Sequence, residues 1–387
     1  MKVRAISLQS IALVCVILSG FLPYFKVTPL DSDVQPYYFL FVASFLFFSI
    51  SKRFTVMGMA ILFFGSILTL ICFLYGGVVE AVSLLLIILY IAYFRNCSEQ
   101  DIKLMVVVLR WVLWLYLVGC VIEKVAPSLI DSVVANSRGS ETRGASSFAS
   151  EPSFLGFLSF CLIVIFSTYT QYSTRTDRIA SWVLLLLAGS ASAIAPALIW
   201  VVAKNLKHVG RFALVASLIP LGIWTVVEFF ETSRAAHLIE MAGSGFHTFL
   251  QIDLSFSNRI LRGFGPTVYS FQSYLIPQNT NQIAQVISSF PLPLHPDAEL
   301  DRISNLAGVL FYVLGFFSFP IIGYALYQLR TKNINEFLSK LVALGTLCFA
   351  ILTPATPFVQ LTVAIILSRA ISGSGQANKV TNQNEEN

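Results

Sequence analysis

The chain has 387 residues, 56% of them hydrophobic and only 12% charged, with a mean hydropathy of +0.76 and a formal charge of +5. Soluble globular domains carry roughly 25% charged residues, and the deficit here runs the whole length, which excludes a soluble domain with a single anchor. The basic residues are scattered at the ends of apolar runs and form no patch, which argues against nucleic acid as a partner.

A membrane-spanning helix needs about 20 apolar residues. The opening MKVR and the apolar run 5–25 have the outline of a signal peptide, but Pro23-Tyr24-Phe25 is a poor cleavage site, so an uncleaved first span is expected. Further spans are predicted over 36–51, 54–75, 78–94 and 102–122, joined by short turns. A polar loop, 123–150, follows, and then a sixth span over 152–172. As one span, the next stretch would place Lys204 and Lys207 on the opposite side from Arg175 and Arg178, against the tendency of basic residues to stay inside. Its middle is small residues and Pro196, so two half-spans, 179–190 and 192–203, meeting at a tight turn are predicted. A span over 209–230, a long loop 231–303, and spans over 304–329, 337–352 and 355–370 complete the pattern. The expected fold is therefore all-α and polytopic: one membrane domain over 1–370, about 12 transmembrane segments, both termini cytoplasmic, and a disordered tail over 371–387.

The six cysteines have no CxxC spacing, and none lies in the long loops, so neither a disulfide framework nor a zinc site is indicated. HExxH is absent as well. Most basic residues fall at the predicted cytoplasmic ends. Those in the two outer loops are Lys124, Arg138, Arg143, Arg234, Arg259, Arg262 and Arg302. Arginine dominates that set, and guanidinium groups suit phosphate and pyrophosphate better than lysine does. The plainer reading is pairing with loop acids or lipid head groups. Ser233 to Leu250 has apolar residues at helical spacing and is expected to lie on the membrane surface. Arg259 and Arg262 share a face if their turn is helical, and Gly263, Gly265 and Pro266 are expected to end that turn. A second short helix is expected within 279–290. His295, beside Asp297 and Glu299, is either a base or a solvated surface histidine. Glu151 precedes Pro152 at the start of a span. It either caps free amides or holds a carboxylate ready for an acceptor hydroxyl.

Arg143-Gly144, Ser147-Phe148 and Glu151-Pro152-Ser153-Phe154-Leu155-Gly156 resemble the arginine-glycine and EPS segment of the O-antigen polymerase and ligase superfamily, most of all its repeat-unit polymerase branch. The late arginine-bearing loop is similar too, and Ser304-Asn305-Leu306-Ala307 resembles the start of that family's closing span. The ligase branch usually carries a His-Asn pair just before that span. Here His295 stands nine residues ahead of Ser304 and no such pair occurs. The resemblance implies a GT-C-like, multi-pass protein of the bacterial inner membrane. It implies metal-independent glycosyl transfer, without a cofactor, between undecaprenyl-pyrophosphate-linked oligosaccharides, with membrane lipid, a chain-length regulator and a flippase as partners. Carried over, Glu151, Arg143 and Arg262 are the catalytic candidates, and Arg138, Arg259, Arg302, His295 and Ser153 the substrate-binding ones. The alternatives are an O-antigen ligase of the same superfamily and, as the competing class, a flippase or transporter of the same lipid-linked sugar.

Overall fold

The computed structural model describes residues 7–26, 37–51, 55–134, 144–205, 251, 254–290, 302–331, 333–350 and 356–368. Their architecture is helical. The one β-bridge among them pairs Phe25 with Val134. In chain order the helices are α1 (Leu8–Phe21), α2 (Tyr37–Ser51), α3 (Val56–Gly76), α4 (Val78–Arg95), α5 (Glu99–Val125), α6 (Pro127–Val133), α7 (Pro152–Thr168), α8 (Arg175–Ala188), α9 (Ala191–Lys204), α10 (Leu254–Gln272), α11 (Ile283–Ser288), α12 (Leu306–Gly308), α13 (Phe319–Leu329), α14 (Ile334–Phe349) and α15 (Pro357–Leu367). Each predicted span coincides with one of these or with a helical succession, except 209–230. That segment and Ser233 to Leu250 lie outside the described residues.

Among the described residues, three helices are long and apolar enough to cross a membrane: α3, α4 and α5. Leu8–Phe21, Pro152–Thr168, Ser192–Lys204 and Pro357–Leu367 are apolar but shorter. Helix α7 is buried on nearly every side from Leu155 to Phe166, whereas α3 exposes Phe63, Phe64, Leu70, Phe73 and Leu74. A helix that is apolar all round belongs in a core or in lipid, and these two helices occupy the two environments.

Local signals fix the ends. Ser98 and Asp101 form a capping box at the start of α5, and Thr174 and Asp177 form one at the start of α8. The 179–203 stretch is broken as the small residues predict. Gly189 takes the left-handed conformation (φ 58°) that closes α8, and α9 starts two residues later. The chain then turns back. Lys204, at the end of α9, donates to the Ser167 carbonyl at the end of α7 (3.3 Å) and lies over the Trp200 ring.

The predicted stop at Gly263-Phe-Gly-Pro266 is corrected: α10 runs straight through it, with Pro266 inside. Proline lacks the N–H that would reach back to the carbonyl of Arg262. That carbonyl accepts from Ser304 N instead (3.3 Å), and the Gly263 carbonyl accepts from Asn305 Nδ2 (2.9 Å). A partner across the fold thus supplies what the proline removes, and the helix continues. Asn305 also caps α12 through Gly308 N (2.7 Å). The predicted 304–329 span is not one α-helix. Between α12 and α13 the chain forms a π turn over Val309–Val313 and a 3-10 turn over Gly315–Ser318. Gly315 (φ 52°) lies against the Leu275 carbonyl, where a Cβ would overlap it, and Phe316 N donates to that same carbonyl (2.8 Å). The expected short helix within 279–290 is present as a 3-10 turn, Thr280–Gln282, running into α11.

Arg110 sits mid-helix in α5, where an unpaired cation is costly in an apolar setting. Its Nε and Nη2 donate to the two carboxylate oxygens of Asp177 (2.8 and 2.9 Å), and Nη2 also reaches the Tyr172 carbonyl (3.3 Å). Asp177 is 1% exposed. Burial acts to raise its pKa, but the hydrogen bonds from Arg110 and Thr174 outweigh it, and the carboxyl is held below its ordinary value. A depressed carboxyl contributes stability that is present above its unfolded pKa and lost as pH falls through its folded one. Asp177→Asn is therefore expected to destabilise the detergent-purified protein at neutral pH. The loss should be on the order of 3 kcal/mol, the low end for one partner removed from a buried pair, because Arg110 keeps 29% exposure. The gap to wild type should close in acid, below the ordinary carboxylate range. Thermal unfolding at pH 7 and in acid reads both.

Candidate functional site

The site is built where the chain passes from α5 to α7. Sequence alone presents 123–150 as an open polar loop. That expectation is corrected: α6 occupies part of it, and 146–150 is buried in the bundle. Ser146 is 1% exposed, and Ser147 and Ala149 are fully buried. Gly119 on α5 makes the close approach possible, since a Cβ there would overlap Ser147 Oγ and the Phe148 ring. Phe148 stacks on Phe25 (5.0 Å between centroids) and meets Tyr116 edge-on (6.3 Å).

Buried backbone needs partners, and a carboxylate supplies them. Glu123, in the last turn of α5, accepts Ser146 N (2.9 Å), Ser146 Oγ (2.6 Å) and Ser147 N (2.7 Å). Successive N–H groups pointing into one concavity form an anion nest. Ser147 takes a left-handed backbone (φ 51°), and its Oγ donates to the Tyr116 carbonyl (2.7 Å). Such strain, about 1–3 kcal/mol, persists only where the surroundings over-determine it. At the other end of the segment Ala145 N donates to the Leu187 carbonyl (2.9 Å), at the tip of the α8–α9 hairpin. Gly144 lies against the Ala188 carbonyl, and Gly156 against Ser190 and Ala193. The hairpin tip, the end of α5 and the start of α7 therefore converge on 144–156.

Glu151 is the residue before α7, with φ −147° and ψ 154°, and Pro152 is the first helical residue. Its side chain makes no capping hydrogen bond to the helix. It accepts from Ser153 Oγ instead (3.2 Å). Glu151 is half-buried, and Phe154 one turn on packs edge-to-face against Tyr24 (5.1 Å). Of the reading in which Glu151 serves the helix N-terminus, the side-chain capping bond is not formed, while the carboxylate still stands at the positive end of the α7 dipole.

Arg262 lies on α10 and is only 6% exposed. A loop arginine with little packing was expected, so this is a correction: the α10 turn that docks on Ser304 and Asn305 carries Arg262 into the interior. Arg259 shares its face of α10 by spacing, with its side chain outside the description. Arg302 is exposed, two residues before Ser304. Arg138, Arg143 and His295 lie outside the described residues.

Sequence reading passed over Glu123 and Gly119, and it predicted the hairpin's tight turn without its contact to 144–156. A signal existed for the first: an acid closing an apolar helix, with a serine pair downstream and no base beside it except Lys124. No protein-family model matches the chain, nor does a curated protein or a solved structure.

Replacing Glu123 should release the segment. With Ala149→Cys as reporter, buried in the native fold, a membrane-impermeant maleimide is expected to label little in the Glu123 background. In Glu123→Ala, labelling should approach that of a cysteine placed at Tyr274, which is 88% exposed. Equal labelling in the two backgrounds would remove the latch role.

Proposed function

We propose that the protein is a multi-pass, GT-C-like glycosyltransferase of the bacterial inner membrane. It polymerises undecaprenyl-pyrophosphate-linked oligosaccharide repeat units into surface polysaccharide at the outer face. About 12 membrane segments and cytoplasmic termini belong to this reading. The observation that carries it is Glu151: a half-buried carboxylate at the start of a helix, accepting from Ser153 Oγ and set by Pro152 beside a segment fixed at both ends.

The chemistry is a displacement at an anomeric carbon. The acceptor hydroxyl oxygen forms the new glycosidic bond, the bond from that carbon to the pyrophosphate oxygen breaks, and the pyrophosphate leaves with the electron pair. A sugar hydroxyl is a weak acid, so its proton passes to Glu151 only as the new bond forms. Pyrophosphate is already a good leaving group. The protein's task is to place two substrates and neutralise the charge that develops. Arginine does the second through paired N–H donors, and Arg143, Arg259 and Arg262 are assigned to it. Arg138, Arg302, His295 and Ser153 are assigned to substrate contact. A chain-length regulator and a flippase are the expected protein partners.

One observation favours a second reading, a transporter of lipid-linked oligosaccharide: the α8–α9 hairpin, broken at Gly189 and carrying Pro196. The two readings differ in where substrate accumulates when the protein is lost. Single lipid-linked repeat units are expected on the outer surface for a polymerase and on the cytoplasmic side for a transporter.

Glu151→Gln keeps size and hydrogen bonding but loses the base. It is expected to insert normally and retain lipid-linked substrate, with polymer formation reduced roughly 10²- to 10⁴-fold, the usual contribution of a positioned base. Polymer length and rate in membranes of the variant give the answer, and a normal rate would return Glu151 to a structural role. Arg262→Lys should also fail if bidentate contact matters. Protein level must be measured beside it, because Arg262 is buried.

A further inference from the structure

At the end of the bundle away from Glu151, four chain segments enclose a cleft of about 360 Å3. Its walls are Thr55 and Met57 at the start of α3, Arg95 at the end of α4, Tyr327 and Gln328 near the end of α13, and Ser368 just past α15. The volume is within the range of small-molecule sites, roughly 300–1,000 Å3.

The lining chemistry favours an anion. Arg95 brings a fixed positive charge. The first amides of a helix have no partner within it, and at α3 that of Gly58 is taken up by the Thr55 side chain. The positive end of the α3 dipole therefore faces a cleft that holds a guanidinium. Gln328, 2% exposed, adds a buried amide to the wall. Among the described residues, no Asp or Glu lines the cleft. In sequence, Arg53 precedes Thr55 by two residues, Arg330 follows Gln328 by two, and Arg369 follows Ser368 directly. Every lining segment thus carries a basic residue, and none carries an acid within three positions of a lining residue.

The surroundings favour lipid as the source of that anion. Only 17% of α3's apolar stretch is buried, and its exposed face begins at Val56, Met57 and Met59, at the mouth of the cleft. Tyr327 and Leu326 are also exposed there. A head group seated on Arg95 would leave its acyl chains along α3. Basic pockets between helices at the cytoplasmic surface are suited to anionic head groups.

We propose that this cleft binds the phosphate of an anionic phospholipid of the leaflet it faces, held by Arg95 and the N-terminus of α3. The site stands independently of glycosyl transfer, and its test reads lipid, not polymer. Full-length protein in detergent is stripped of lipid and titrated with phosphatidylglycerol, with phosphatidylcholine and with inorganic phosphate, while native mass spectrometry counts bound molecules. Phosphatidylglycerol is expected to bind well above phosphatidylcholine, and Arg95→Gln is expected to weaken it about tenfold, the equivalent of one charge-assisted hydrogen bond. Met57→Trp, which fills the cleft and keeps every charge, should weaken it too and guards against misfolding of the arginine variant. Gel filtration checks both variants. Equal binding of the two lipids, or unchanged binding in both variants, would overturn the proposal. Inorganic phosphate binding as tightly as phosphatidylglycerol would overturn lipid as the source.

Discussion

The carboxylate of Glu123 in its cradle of serine amides is the contact on which the Glu151 end of the bundle depends. A segment of irregular backbone can enter an apolar interior only if its polar groups find partners, since each unmet group costs several kcal/mol. Glu123 satisfies two N–H groups and a hydroxyl at once. The Leu187 carbonyl satisfies Ala145, and the Tyr116 carbonyl satisfies Ser147 Oγ. The exchange is mutual: α5 lends its last acid, the hairpin lends a carbonyl freed at its own tip, and the segment fills the space between them with Phe148. Glu151 and Pro152 then emerge from a fixed origin. The contacts that hold this origin come from α5 and α8.

The same rule governs α10. Pro266 removes one link in the helix ladder, and Ser304 N takes the carbonyl it leaves. That link ties the arginine-bearing helix to the start of the closing segment, so Arg262 and Asn305 hold a set relation although 42 residues separate the Asn305 amide from the carbonyl it bonds at Gly263. The π and 3-10 turns after Gly308 continue the pattern. Gln278 N bonds the Tyr312 carbonyl (2.8 Å), Leu275 meets Phe316, and Thr280 Oγ1 reaches the Gly76 carbonyl (2.8 Å) at the α3–α4 turn. Irregular helix is used where another strand of chain completes its hydrogen bonds.

The helical class, the positions of the apolar segments and the break at Gly189 were legible in the sequence, because apolar length and small-residue runs act locally. The short helix after Asn279 was legible for the same reason. The fate of Pro266 was not: whether a proline stops a helix depends on what can serve the orphaned carbonyl, and Ser304 is remote in sequence. The burial of 146–150 was hidden likewise. Composition marks Ser, Gly and Arg as a solvated loop, and only the pairing of Glu123 with Ser146 and Ser147 reverses that. Arg262 illustrates the same limit, since its burial follows from where α10 docks. The resemblance pointed to 143–156 as the place of interest, yet it could not say that the segment is held from beneath by α5.

The arrangement of charge joins these parts. At one end, Arg110 and Asp177 join α5 to α8, Tyr172 bonds Glu99 (2.6 Å), and Lys204 returns to Ser167. These contacts fix the base of the α8–α9 hairpin against the helices flanking it. At the other end, the hairpin's tip meets Gly144, Ala145 and Gly156. A two-helix hairpin clamped at its base by an ion pair and seated at its tip on the segment before Glu151 is a rigid strut between the two ends. Helices of 14 residues span about 21 Å, so the strut covers most of the apolar depth without a third crossing. Gly156 and Ala193 make the contact close, because side chains this small let the start of α7 and the start of α9 approach without a gap. A larger residue at either position would push the strut away from Glu151 while leaving its base in place. The conformational freedom of the carboxylate is therefore set as much by small residues on a neighbouring hairpin as by the helix that bears it.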